Sequence, residues 1–102
     1  IIQCEAGNEV YEGQLAVGAV VMNRVRAAGY PGSVYEVIYQ KSQFPPAGAG
    51  LVAKVIAKGP KESCIQAAQE ALGGADNTSG ATCFKRASSG HAGVVIGNHV
   101  FY

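Results

Sequence analysis

The sequence predicts an α+β domain in which the helices come first and a small antiparallel sheet comes last. Up to Gly73, apolar residues recur at the three- to four-residue spacing of helices. Beyond that point they occur in short β-type runs, from Thr82 to Arg86 and from Val94 to Ile96, separated by turn-forming residues. This order favours helices segregated from the sheet over a regular alternation of strands and helices.

The length and composition are those of one small folded domain. The 102 residues are enough for a single hydrophobic core and too few for two. Hydrophobic residues make up 48% of the chain and charged residues 15%, which argues against extended disorder. We therefore treat residues 1–102 as one domain. Because Ile1 opens in the middle of an apolar pattern, we expect this domain to have been excised from a longer chain.

The charge balance gives no support to nucleic acid or an anionic membrane as a partner. Eight Lys and Arg residues oppose seven Asp and Glu residues, leaving a formal net charge of +1. No apolar run reaches the ~18 residues that a membrane span needs, and no signal peptide is recognisable. The sequence does not determine the oligomeric state, and a monomer is the simplest expectation.

The segment from Glu12 to Ala28 is predicted to be a buried central helix. Its large apolar residues are spread around most of the circumference, which is typical of a helix surrounded by other elements. These residues are Leu15, Val17, Val20, Val21, Met22 and Val25. Ile1 to Glu5 is predicted to be the last turn of a preceding helix, which ends at Gly7 in a left-handed conformation.

Three further segments connect the central helix to the second half of the chain. Ser33 and Glu36 form a capping-box pattern that predicts a short helix to about Tyr39. Residues Gln43 to Gly50 contain two prolines and two glycines, so we expect a surface loop. Leu51 to Ala57 is apolar and compatible with either a helix or a strand.

The last helix and the hairpin complete the predicted fold. Beyond Pro60, the spacing of Ile65, Ala68 and Leu72 predicts a helix that ends at Gly73-Gly74 and turns this face towards the core. Gly97-Asn98, between two β-type runs, predicts a short antiparallel β-hairpin near the C-terminus.

Most of the acidic residues have structural explanations in the predicted elements. Glu36 belongs to its cap, and Glu62 lies in a first helical turn, where the macrodipole favours negative charge. Glu9 and Glu12 are interpreted as first-turn acids of the central helix. Glu70 falls on a polar helix face, and Asp76 lies in a turn-forming segment.

Glu5 is the exception, because it lies between Cys4 and Ala6 at a helix end just before a loop. Burial against an apolar wall would raise the pKa of its carboxyl group and keep that group protonated. A glutamate at a helix end is nevertheless more often a cap, a solvated charge or half of an ion pair than a catalyst. The spacing alone therefore favours a structural role for Glu5 over a catalytic one.

Cysteine and histidine patterns indicate neither a metal site nor a cofactor. Cys4, Cys64 and Cys83 form no C-x-x-C motif and are interpreted as small buried hydrophobic residues. His91 and His99 are too close together to match a spaced metal motif. A cysteine peptidase using His99 is formally possible, but the predicted helix and strand around Cys64 and Cys83 are poor settings for an activated thiol.

Three blocks of sequence, in order along the chain, resemble the SleB/CwlJ family of cell-wall hydrolases. The first block comprises Cys4 to Glu9, Tyr11 to Val17 and Ala19 to Val25. The second is Val37 to Gln40 with Gln43-Phe44, and the third is Ile96 to Tyr102. Because these matches are long, ordered and spread over the whole chain, they are far more specific than any single short motif.

The resemblance implies a lysozyme-like α+β fold and cleavage of peptidoglycan in the spore cortex or cell wall, outside the cytoplasm. Glu5 occupies the position of the family's general acid, which makes it the favoured catalytic residue. Gln43 and Phe44 match the loop that lines the glycan cleft. Asn98, His99 and Tyr102 match the closing block and are implied to bind substrate. Departures occur at Gly7-Asn8 and Pro45-Pro46, which put the loop shape in doubt and leave Glu5 unaffected.

No clear second carboxylate accompanies Glu5, whereas most glycosidases use a pair of carboxyl groups. A lone acid suits a lytic transglycosylase acting on the bond that follows N-acetylmuramic acid, although hydrolysis by an activated water stays open. The alternative from a different class is a non-catalytic glycan-binding module of a wall or spore-coat protein.

Overall fold

The computed structural model describes residues 1–41 and 43–102. In these residues six α-helices precede a three-stranded antiparallel sheet, so the predicted α+β class is confirmed. The helices are α1 (Ile2–Ala6), α2 (Tyr11–Arg26), α3 (Val34–Ile38), α4 (Pro45–Gly48), α5 (Leu51–Lys58) and α6 (Glu62–Leu72). The strands are β1 (Phe84–Arg86), β2 (Val94–Ile96) and β3 (His99–Phe101), with a short 3₁₀ helix at Ala87–Ser89.

The central helix α2 lies in the middle of the molecule, as its sequence predicted. It contacts α1, α3 and α6, and the side chains of Ala16, Val17 and Val20 are completely buried. Burial on nearly all sides explains why its apolar residues form no single stripe. The helix ends at Arg26 because Ala27 turns to an extended backbone conformation.

Helix α6 packs so closely against α2 that only small residues fit between them. A Cβ atom added at Gly18 of α2 would lie 2.9 Å from the Cβ atom of Ala71. The buried residues of α6 are accordingly Cys64, Ala67 and Ala71. The predicted core face was therefore wrong at its two large residues: Ile65 is 41% exposed and Leu72 is 58% exposed.

The hairpin at Gly97-Asn98 is confirmed, and β1 adds a third strand to it. Strand β3 lies in the centre, with Phe101 opposite Phe84 on one side and opposite Val94 on the other. The Phe84 and Phe101 rings stack with centroids 5.6 Å apart. Phe101 belongs to the same core cluster as Val17 and Val20, and so the sheet and α2 share one core.

Two further predictions need correction, and one open choice is resolved. The predicted loop from Gln43 to Gly50 contains the short helix α4, since Pro45 is well suited to a first helical turn. Gly7 has a right-handed helical φ of −59° and is not left-handed. Its lack of a side chain instead avoids the Gln3 carbonyl oxygen, which a Cβ atom would approach to 2.5 Å. Leu51 to Ala57 lies within helix α5.

The cap at α3 forms as predicted: the Ser33 hydroxyl group accepts from the Glu36 main-chain N–H and donates to the Glu36 carboxylate. Of the helices described, none is both long and apolar enough to cross a membrane.

Candidate active site

Glu5 lies in the last turn of α1, where the chain leaves the core and enters a loop. It is half-buried, and Ala6 beside it is buried in the main core cluster. Glu5 lines a polar pocket of about 310 Å³. The other lining residues are Gln3, Cys4, Ala6, Gly7, Asn8, Glu9 and Lys61. The helix end thus brings a carboxyl group to a cavity that is open to solvent.

Burial raises the pKa of the Glu5 carboxyl group above the ordinary glutamate value, and the electrostatic interaction with His99 partly opposes this effect. Desolvation penalises the charged form of an acid, so Glu5 keeps its proton to higher pH than an exposed glutamate. A carboxyl group that keeps its proton in this way can act as a proton donor to a leaving group. The sequence-based expectation about the environment of Glu5 is confirmed.

Glu9 has a different position from the one predicted. Helix α2 begins at Tyr11 with Val10 as its N-cap, so Glu9 precedes the helix and is not one of its first-turn acids. Its carboxylate accepts hydrogen bonds from the Asn98 main-chain N–H at 2.9 Å and from Asn98 Nδ2 at 3.0 Å. These two bonds lower the pKa of Glu9. Sequence reasoning missed this contact because its partners are far apart in the chain.

Lys61, the N-cap residue of helix α6, binds the segments on both sides of Glu5. Lys61 Nζ donates a hydrogen bond to the carbonyl oxygen of Gly7 at 3.0 Å, and the Lys61 main-chain N–H donates to the side chain of Gln3. Residues on both sides of Glu5 are therefore tied to the same point on α6.

The hairpin turn places two of the predicted substrate-binding residues next to Glu9. Asn98 is bound to the Glu9 carboxylate, and His99 Nδ1 lies 3.7 Å from Glu9 Oε1. The His99 ring meets Phe84 edge to face, with centroids 5.4 Å apart. Glu5, Asn98 and His99 are thus connected through the segment that contains Glu9.

The other predicted substrate-binding residues have different surroundings. Phe44 is only 4% exposed and packs in the second core cluster, so burial favours a structural role over contact with a glycan. Gln43 is exposed and accepts a hydrogen bond from the buried Arg24 at 3.2 Å. Tyr102 is partly exposed and stacks on His91, with ring centroids 3.7 Å apart. None of these three lines the Glu5 pocket.

The other two candidates for a second catalytic carboxylate, Glu12 and Asp76, do not line the Glu5 pocket. Glu12 is an exposed first-turn acid of α2, as predicted. Asp76 accepts hydrogen bonds from the main-chain N–H groups of Thr78 and Gly80 and from Asn23 Nδ2. Among the described residues that line the polar pocket, only Glu9 contributes a carboxylate besides that of Glu5.

Most of the chain matches a known protein family. A family model described as "Cell Wall Hydrolase" matches residues 8–102. The chain belongs to this cell-wall hydrolase family. Its membership confirms the resemblance to SleB and CwlJ, while Glu5 lies just before the matched segment.

Several relatives of this cell-wall hydrolase domain are spore cortex-lytic enzymes. That of Halalkalibacterium halodurans is 31% identical over 95% of this chain and 31% of its own length. That of Oceanobacillus iheyensis is 30% identical over 95% of this chain and 37% of its own length. The chain therefore spans about a third of the length of these two curated relatives.

Two solved structures share the fold of this cell-wall hydrolase domain. The catalytic domain of the germination-specific lytic transglycosylase SleB from Bacillus anthracis superposes with a TM-score of 0.84. It is 30% identical, and the match covers 98% of this chain and 85% of that domain. The catalytic domain of the Bacillus cereus SleB protein gives a TM-score of 0.81 at 30% identity, over 98% and 81% of the two chains.

Proposed function

We propose that this domain cleaves peptidoglycan glycan strands as a lytic transglycosylase, with Glu5 as its general acid and base. The observation that carries the proposal is a half-buried carboxyl group of raised pKa at a polar pocket, in a domain of the cell-wall hydrolase family. The SleB relative, whose catalytic domain has the same fold, is described as a lytic transglycosylase. Action outside the cytoplasm, on wall or spore cortex, is part of this proposal.

In the first step, protonated Glu5 donates its proton to the glycosidic oxygen as the bond from C1 of N-acetylmuramic acid breaks. The leaving sugar departs with that proton, and Glu5 becomes a carboxylate. In the second step this carboxylate takes the proton of the 6-hydroxyl group of the same muramic acid, and O6 bonds to C1. A 1,6-anhydro ring forms, and Glu5 regains its proton.

The environment of Glu9 supports this route over hydrolysis. Water activation on the opposite side of the sugar requires a carboxylate that takes a proton from water. The two hydrogen bonds from Asn98 stabilise the Glu9 carboxylate and lower its pKa, which makes it a weaker base for this task. The 6-hydroxyl group is tethered to the reacting sugar, which gives it an entropic advantage over free water.

The acid role of Glu5 is tested by the substitution Glu5→Gln, which keeps the shape of the side chain but removes the proton it donates. We expect release of glycan fragments from purified cortex to fall by ~10²-fold or more, with the folded state retained. Glu12→Gln is the matched control, because Glu12 is exposed on the first turn of α2 and lies outside the pocket. Cleavage by Glu5→Gln at the wild-type rate would contradict the assignment.

The reaction type is tested by mass spectrometry of the products formed in ¹⁸O-labelled water. A transglycosylase leaves 1,6-anhydro-N-acetylmuramic acid ends, which are lighter by one water and carry no label. Labelled reducing ends would identify hydrolysis and make Glu9 the first candidate for the water-activating base. Binding of glycan strands without any new chain ends would instead support the non-catalytic binding module.

A further inference from the structure

Glu9, which lines the same pocket as Glu5, links two segments that are distant in sequence, the end of α1 and the turn between β2 and β3. Its main-chain N–H donates to the carbonyl oxygen of Ala6 at 3.0 Å, which fixes it to the end of α1. Its carboxylate reaches across to the hairpin turn and accepts two hydrogen bonds from Asn98. The close fit extends to Gly97, where an added Cβ atom would lie 2.8 Å from Glu9 Oε1.

The same carboxylate faces the imidazole ring of His99. His99 Nδ1 is buried, has no hydrogen-bond partner among the residues described, and lies 3.7 Å from Glu9 Oε1. Phe84 contacts the ring edge to face and limits its rotation. A buried ring nitrogen opposite a carboxylate favours the tautomer that carries its proton on Nδ1, because that proton then points at a negative charge.

The geometry points to Glu9, which lines the same pocket as Glu5, as a positioning residue. Its carboxylate holds the Asn98-His99 turn and the Nδ1-protonated form of His99 next to this segment. This inference rests on the proposed cleavage of glycans at Glu5. In this role Glu9 holds Asn98 and His99 in position and does not itself contact the reacting atoms. A misplaced supporting group can lower a rate substantially while leaving the fold intact.

The test compares Glu9→Gln with Asp76→Asn. In Glu9→Gln, one accepting oxygen becomes an NH₂ group that opposes a donor of Asn98, and the charge facing His99 disappears. Asp76 is a matched control because its carboxylate also accepts from main-chain N–H groups, those of Thr78 and Gly80, and from a side-chain amide. Asp76 does not line the Glu5 pocket.

The first readout needs no substrate. In nitrogen NMR spectra of the neutral imidazole, we expect His99 to be protonated on Nδ1 in the wild type and in Asp76→Asn. In Glu9→Gln, the population should shift towards Nε2–H, and hydrogen exchange at the Asn98 main-chain amide should accelerate. Unchanged His99 and Asn98 signals in Glu9→Gln would overturn the inference, whether or not the protein cleaves glycans.

The second readout is kinetic. At a temperature where all variants are folded, kcat of Glu9→Gln should fall ~10- to 100-fold with a smaller change in KM, while Asp76→Asn stays near the wild-type value. Equal losses in both variants would make Glu9 a stabilising residue only and overturn the inference. A complete loss in Glu9→Gln, together with label at the wild-type product ends, would make Glu9 the water-activating base. If Glu5→Gln keeps its activity, the proposed function is contradicted. The NMR result for Glu9 does not depend on that outcome.

Discussion

Glu5 and Glu9 lie in one short segment, and their surroundings move their pKa values in opposite directions. Burial raises the pKa of Glu5, whereas the main-chain and side-chain hydrogen bonds from Asn98 lower that of Glu9. Environments that separate the pKa values of neighbouring carboxyl groups are typical of sites in which the groups have different tasks. In the proposed reaction Glu5 is the proton donor of the pair, whereas the lowered pKa of Glu9 favours its anionic form.

The raised pKa of Glu5 predicts the direction of the pH dependence of cleavage. A general acid works only while protonated, so kcat/KM should fall as the pH rises through the pKa of Glu5. Because burial raises this pKa, the midpoint of the falling limb should lie above the ordinary value of 4.5. A profile of kcat/KM against pH measures it. A falling limb centred at or below 4.5 would show that Glu5 is not the acid or is not desolvated.

At the scale of elements, the packing of α2 against α6 positions both the core and the pocket. The two helices approach closely through Gly18, while Lys61 at the N-cap of α6 contacts Gly7 and Gln3 beside Glu5. A change in the distance between α2 and α6 is therefore expected to affect the loop after Glu5.

We predict that Gly18→Val destabilises the domain by ~1 to 3 kcal/mol, because the added atoms overpack the helix interface. Ala71 Cβ at 2.9 Å and Ile2 Cδ1 at 3.1 Å leave no room for the first added carbon. Gly32→Val is the control, since no atom of the described residues beyond its chain neighbours lies within 4 Å of an added Cβ there. Urea unfolding measures both variants. Equal midpoints would show that α6 can move away from α2 at little cost.

At the scale of the whole molecule, the sheet meets α1, α2 and α6 in the main core cluster, and the site lies at the edge of this cluster. Phe101 is 1% exposed and shares a cluster with residues of α1, α2 and α6, while Asn98 and His99 occupy the turn and the start of the same strand. Burial of one end of β3 thus determines where its other end meets Glu9.

Phe101→Ala is expected to destabilise the domain by ~3 to 5 kcal/mol, a large part of the stability of a small domain. It removes a buried ring that stacks on Phe84. Val95→Ala, at a position that is 63% exposed on β2, should cost much less. Thermal unfolding of the two variants gives the comparison. A loss for Phe101→Ala no larger than that for Val95→Ala would mean that β3 does not anchor the sheet to the helices.

The sequence by itself determined the α+β class, the central helix, the hairpin at Gly97-Asn98 and the half-buried setting of Glu5. These features depend on local periodicity, turn chemistry and immediate neighbours, and all of them can be recognised within short windows of the chain. The catalytic role assigned to Glu5 came from the family resemblance and stays a prediction for the experiments described.

Only the tertiary structure decided the contacts of Glu9, the burial of Phe44 and the core face of α6. Glu9 meets Asn98 across almost the whole length of the chain, so no local pattern indicates their contact. The core face of α6 contains Ala67 and Ala71, and not Ile65, because the close approach of α2 leaves space only for small side chains. Large apolar side chains are buried where the space between two elements is wide enough to hold them. Here the short distance between α2 and α6 excludes them and admits only small side chains.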